Sequence, residues 1–252
     1  MAFPMTHREA FSHLKETLDE RSRATLAASF TAADATLLKT DLPPIDRMLG
    51  GGFPRGVITS LEGTPSSGRM AIAVRLLAKG TEHGLAAVIG DGSLFPPDLA
   101  RAGVRLDRLL IVTAQEALRV GRACDIVLRS GAFNVVLIPA VALKAAVWTR
   151  LAILTHRANA VLLALGVQVS NELGYFSSVR IGFYIERVIW AHDTPLFSRL
   201  LGYDIRATVQ KHKRAIPGAS ALIRTLCNEN VLPATLRERK LDDVAVPYRS
   251  AL

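Results

Sequence analysis

The stretch of this chain with the plainest chemical meaning is Val57 to Leu77, VITSLEGTPSSGRMAIAVRLL. Val57–Glu62 reads as a short buried strand, which meets a loop bounded by Gly63 and Gly68, and an apolar segment with helical spacing follows. Strand, glycine-bounded turn and helix, in that order, are the layout of a phosphate-binding loop, in which backbone N–H groups cradle phosphate and the pattern G-x-x-x-x-G-K-[ST] supplies the charges. Here the pattern reads Gly63-Thr64-Pro65-Ser66-Ser67-Gly68-Arg69-Met70. The glycines keep their spacing, but both chemical positions differ. A lysine would place a compact ammonium on the β/γ-phosphates, whereas Arg69 carries a wide planar fork that does not fit the same hole. The hydroxyl that would hold Mg²⁺ is replaced by Met70, a thioether with no affinity for that hard cation. The expected cofactor-binding residues are Gly63, Ser66, Ser67, Gly68, Arg69 and Met70, with the shape of a nucleotide loop and without its chemistry. No cofactor is expected, although backbone N–H groups and the helix dipole leave room for weak ATP binding without turnover.

The elements that must position this loop alternate along the chain. Asp41–Gly56 places a short amphipathic turn (Ile45, Met48, Leu49) before Gly50-Gly51-Gly52 and delivers the chain into the Val57–Glu62 strand. Apolar strands are predicted at Leu85–Gly90, Leu109–Thr113, Phe133–Ile138 and Ala160–Leu165, with helices at Asp98–Ala102, Gln115–Ser130 and Ala142–Arg157 between them. Such βα alternation argues an α/β fold: a mainly parallel sheet covered by helices. From Val179 the pattern changes. Ser178–Trp190, Tyr203–Lys213 and Ala219–Cys227 read as strands separated by loops, hence an antiparallel β extension. The predicted division is 1–40 for an amino-terminal helix and linker, 41–231 for the core and 232–252 for a polar tail. Thr6–Arg21 is amphipathic, with Ala10, Phe11, Leu14 and Leu18 on one face. Phe11, Leu14 and Leu18 either pack on their own domain or dock on a neighbouring subunit or partner.

At 252 residues the chain is long enough for one α/β domain with short appendages. The longest apolar run, Phe133–Trp148, is interrupted by Asn134, Pro139 and Lys144, which argues against a membrane span. The amino terminus has no continuous apolar stretch of the kind secretion needs. Cys124 and Cys227, far apart in apolar surroundings, read as reduced core residues of a cytoplasmic protein. The net charge of +9 favours an acidic partner, nucleic acid being the obvious one. His83, His156, His192 and His212 lack metal-ligand spacing.

Several pieces of the chain, in order, are similar to the core of the RecA family of bacterial recombinases. They are Ile45-Asp46, Leu49 to Gly56, Ser66-Ser67-Gly68, Ala100-Arg101, Gly103-Val104, Leu106 to Leu110, Arg129 to Ala132, Ser178-Val179-Arg180, and Val209 with Lys211-His212-Lys213. The resemblance spans roughly residues 42–231 and implies a RecA-like P-loop fold. The departures bear on function. Where RecA's Walker B strand ends in a Mg²⁺-orienting aspartate, Val135-Val136-Leu137-Ile138 ends in Pro139. Near the catalytic glutamate's place stands Asp91, one methylene shorter, which reads first as a turn or cap residue and otherwise as a water-positioning carboxylate. Gln168 and Asn171 fall near RecA's nucleotide-sensing glutamine. The two loops that hold single-stranded DNA in RecA are largely missing, since Ala140 passes almost directly into a helix and only Gly166–Phe176 separates the next strands.

A RecA-like core with an eroded nucleotide site, no DNA loops and this length resembles the ImuA family, accessory proteins of SOS mutagenesis. That resemblance implies a non-enzymatic protein of translesion synthesis whose partners are an ImuB-like Y-family polymerase homologue and a specialised DnaE-type polymerase. In RecA the lysines matching Lys211 and Lys213 reach the nucleotide of the adjacent protomer, so Lys211, Lys213 and Arg214 are expected at an interface, self-association included. The alternative is a solvated basic turn. Arg180 and Arg187 are read as ordinary strand charges. Two other functional classes stay open: a RecA-related nucleotide-binding protein of DNA repair with weak or no ATP turnover, and a regulatory relative outside repair.

Overall fold

The computed structural model describes residues 37–194, 197–213, 217–226 and 232–233, with residues 191–194, 197–199 and 232–233 given by backbone alone. Strands β1 (Leu37–Leu38) and β2 (Phe53–Pro54) pair antiparallel around helix α1 (Pro43–Met48), whose opening prolines suit a first turn that needs no N–H partner. Then come β3 (Val57–Glu62), α2 (Arg69–Glu82), β4 (Leu85–Gly90), α3 (Pro96–Arg101), β5 (Leu109–Thr113) and α4 (Ala117–Ser130). They are followed by β6 (Phe133–Pro139), α5 (Ala145–Ala158), β7 (Val161–Gly166), α6 (Asn171–Phe176), β8 (Val179–Thr194), β9 (Phe197–His212), β10 (Ser220–Leu226) and β11 (Leu232–Pro233).

The nine-stranded sheet runs β11-β10-β9-β8-β3-β7-β6-β4-β5. From β8 to β5 every pairing is parallel, and from β8 to β11 every pairing is antiparallel. Alternate residues of each central strand enter opposite cores, as the period of two dictates. On one side, Leu61, Val135, Leu137 and Leu163 pack with Ile72, Leu76 and Leu77 of α2. On the other, Val136, Ile138, Leu162 and Ala164 pack with Cys124 of α4 and Trp148 and Leu151 of α5. Strands buried on both faces are mostly apolar along their length, which is why the sequence reads them so clearly.

Three features depart from expectation. The Gly166–Phe176 connection contains α6, capped by Ser170, whose Oγ accepts the Leu173 N–H at 3.2 Å. Strands β8 and β9 are 16 residues each, longer than the alternation predicts. Their register shifts at Arg180/Ile181, Ile185/Arg187, Ile189/Trp190 and His192/Thr194, and each shift breaks the inward–outward alternation on which a sequence reading relies. The helix predicted at Ala142–Arg157 begins at Ala145, after the extended residue Lys144. Among the described residues no helix is long and apolar enough to cross a membrane. Phe11, Leu14, Leu18, Arg214, Cys227 and the tail from 234 onward lie outside the described residues.

Candidate functional site

The loop between β3 and α2 has phosphate-cradle geometry. Gly63 sits at φ +155° and Gly68 at φ +89°, with Ser66 also left-handed at +65°. A side chain at Gly63 would run into Ser67 Oγ and come within 2.6 Å of the Phe183 carbonyl, and one at Gly68 would strike Ile205. Both positions therefore require glycine for conformation and for space. Helix α2 begins at Arg69 with no side-chain cap, leaving its first-turn N–H groups directed at the loop. Ser67 Oγ is buried and without a hydrogen-bond partner among the described residues. Backbone, dipole and this hydroxyl together would accept an anionic oxygen.

The side chains that flank the cradle are committed elsewhere. Arg69 Nη1 donates to the carbonyl of Gly166 at 2.9 Å, the carbonyl that also accepts the Gly63 N–H at 3.2 Å. Arg69 thus staples the loop to the end of β7, and burial pulls its guanidinium below its ordinary pKa. Met70 points outward, 40% exposed. Pro139 closes β6 opposite Leu165, and the following Ala140 N–H donates to the Leu165 carbonyl at 2.7 Å. Asp91 stands exposed after β4, where Oδ1 accepts the Ser93 N–H at 2.9 Å. Hydrogen bonds from the Ser93 side chain and backbone hold its carboxyl below the usual range. Asp91 is thus a turn residue in this conformation.

The sequence reading missed the carboxylate closest to the loop. Glu62, the last residue of β3, is buried and meets Arg180 of β8 in a two-pronged ion pair, Nε to Oε1 at 2.8 Å and Nη2 to Oε2 at 3.0 Å. Ser60 Oγ donates to the same Oε1 at 3.2 Å. Hydrogen bonding to Glu62 raises the Arg180 pKa. The signal was present as a lone acid ending a strand buried on both faces, since a buried charge demands a partner. Glu62 and Arg180 line one wall of a cleft of about 600 Å³ that also includes Gly63, Gln168, Tyr184 and Gln210. Gln168 therefore lies beside the loop, while Asn171 opens α6.

Arg187 likewise is no ordinary strand charge. A bulge at Glu186 places Arg187 directly across from Asp204, which faces Arg224 on its other side. Asp204 accepts from Arg187 at 2.7 and 2.9 Å and from Arg224 at 2.7 and 3.0 Å. Burial alone would raise the Asp204 pKa, but the two guanidinium partners outweigh it and leave the carboxyl below its ordinary value. The next residue, Ile205, is the one that closes over Gly68, so this triad sets the wall of the loop. Lys211, in β9, donates to the carbonyls of Gly174 and Tyr175 at 2.7 and 3.0 Å, fastening the end of α6. Burial, then the nearby Lys213 and Arg180 charges, lower its pKa. Lys213 is exposed, one residue beyond the strand.

Comparison with known proteins agrees with this geometry. The RecA N-terminal domain family matches residues 9–150. Protein RecA of Corynebacterium diphtheriae is 39% identical over 104 residues, covering 39% of this chain and 27% of its own length. Protein RecA of Ectopseudomonas oleovorans is 32% identical over 139 residues, covering 53% of this chain and 39% of its own. The matches thus span between 27% and 39% of these relatives' length. The crystal structure of the RadB recombinase superposes at a TM-score of 0.62, covering 78% of this chain and 99% of its own at 17% identity, a likeness of fold.

Proposed function

Since the chain belongs to the RecA N-terminal domain family, we propose that it is a non-catalytic member acting as an accessory protein of DNA-damage-induced (SOS) mutagenesis. In this reading it resembles ImuA and binds an ImuB-like Y-family polymerase homologue working with a DnaE-type polymerase in translesion synthesis. The observation that carries the non-catalytic part is the engagement of Arg69 with the Gly166 carbonyl. Phosphoryl transfer relies on cations and metal placed where charge develops. In this site the cation at the lysine position is turned to a backbone carbonyl, the hydroxyl position holds exposed Met70, and the Walker B position holds Pro139. The groups present fit an anionic oxygen on the backbone and do not fit Mg²⁺-nucleotide. Short connections, residues 140–144 after β6 and 167–170 between β7 and α6, support the absence of RecA-type DNA loops.

The test has two arms. Purified chain should hydrolyse no ATP with or without single-stranded DNA; turnover that disappears in Gly68→Ala would overturn the non-catalytic reading. Co-expression with a Y-family polymerase homologue should yield a co-purifying complex, and its absence at native expression levels would overturn the accessory role.

A further inference from the structure

On the sheet face opposite α2, helices α4 and α5 pack side by side and leave outward residues exposed. Their inward residues are ordinary core: Val120, Cys124, Val127 and Leu128 from α4, Trp148 and Leu151 from α5. Their outward residues depart from a solvated face. Leu118 is 65% exposed, Ile126 53% and Ile153 49%. Single exposed apolar side chains are ordinary, but these border two adjoining clefts. One, of about 440 Å³, includes Leu118, Gly121, Ile126 and Val147; the other, of about 750 Å³, includes Ala146, Ile153 and Leu154. Arg150 lines both, so they form one groove with a charged divide.

The charge around the groove is not balanced among the described residues. Arg129 and Arg150 share Asp125, and Arg119 pairs with Glu116. Arg122, in the first cleft, and Arg157, in the second, have no ion pair among the described residues. Each apolar cleft thus carries an arginine whose guanidinium can donate to a carboxylate in two-pronged fashion. Arg150 and Arg157 are separated by two helical turns, roughly 10 Å.

We propose that the α4–α5 groove is a docking site for an acidic segment of a partner protein that inserts two bulky apolar side chains, one on each side of Arg150, with carboxylates meeting Arg122 and Arg157. A helical partner would present the anchors on one face, an amphipathic helix laid in a groove. Charge complementarity favours this occupant over the others. A second copy docking face to face would bring two net-positive faces together. Nucleic acid would satisfy the arginines but leave the isoleucines against phosphate and water. The proposal does not depend on the partner being a polymerase homologue.

The experiment uses the full chain as bait for a displayed library of random 16-residue peptides. The best enriched peptide is then synthesised and titrated by fluorescence anisotropy against wild type, Ile126→Glu, Ile153→Glu and the Arg122→Glu/Arg157→Glu pair. Enriched peptides should be acidic with two bulky apolar residues. Binding should weaken about tenfold or more in each variant, as central anchors do, and should weaken with salt. The altered positions are exposed, so circular dichroism and melting temperature should match wild type; should one variant unfold, the others carry the test. No enrichment, peptides of basic or neutral composition, or binding equal in all variants would overturn the proposal. So would self-association of the full chain, or binding of a single-stranded oligonucleotide, that Ile153→Glu abolishes.

Discussion

Replacing Asp204 with alanine should remove a large share of this domain's stability, and the size follows from where its partners sit. Asp204 is 2% exposed and accepts both guanidinium groups at 2.7–3.0 Å. Its side chain is nearly enclosed with that of Arg224, at 2% and 8% exposure, whereas the Arg187 side chain is 48% exposed. Removing one member of a buried pair leaves the other charge without its counterion, which costs about 3–5 kcal/mol. The expected order is therefore Asp204→Ala, then Arg224→Ala, then Arg187→Ala, the last below about 1 kcal/mol because the Arg187 side chain is half exposed and Asp204 keeps Arg224. For a domain of this size the Asp204→Ala loss corresponds to a melting point lower by roughly 6–20 °C. The double variant Asp204→Leu/Arg224→Met should recover most of the loss, since a packed apolar pair needs no counterion. Urea unfolding followed by circular dichroism measures each value at constant slope. If Asp204→Ala costs less than about 1 kcal/mol, or Arg187→Ala costs as much as Arg224→Ala, the account of a buried, mutually dependent triad is wrong.

Acid should reproduce part of that loss. The Asp204 and Asp125 carboxyls lie below their ordinary values in the fold, so their stabilisation is complete above about pH 4 and disappears as pH falls through the folded values. Asp204→Asn should flatten this acid limb in a pH series of urea melts. Gly68→Ala should destabilise by about 1–3 kcal/mol, because it forces a left-handed alanine against Ile205; an unchanged melting point would show that the loop relaxes freely. Cys124 is buried, and burial followed by the Asp125 charge pushes its thiol up to about 12. Its alkylation in native protein should track global unfolding, and rapid labelling without urea would contradict the packing. Lys211→Met should loosen α6 rather than abolish partner binding, read as faster amide exchange at Gly174 and Tyr175, because its ammonium is bonded to their carbonyls.

The linear chain determines the parallel half of this fold and the outline of the loop. Strands β3, β4, β6 and β7 are mostly apolar because each is covered on both faces, and Gly63 and Gly68 stand where a turn needs left-handed backbone. The chemical substitutions at Arg69, Met70 and Pro139 are equally visible, because residue type alone states what a side chain can donate. What a side chain does in place depends on segments far away in sequence. Arg69 meets a carbonyl 97 positions on, and Glu62 meets an arginine 118 positions on. Arg187 faces Asp204 only because a bulge moves it one register step, a shift that leaves no mark in the alternation. The α4–α5 groove divides the same way. Its arginines and isoleucines can be read from the sequence, but only the packing of the two helices leaves them facing outward with Arg122 and Arg157 unpaired among the described residues. Short-range pattern fixes which residues are buried, whereas the pairing of charges is a property of neighbours that only tertiary folding brings together.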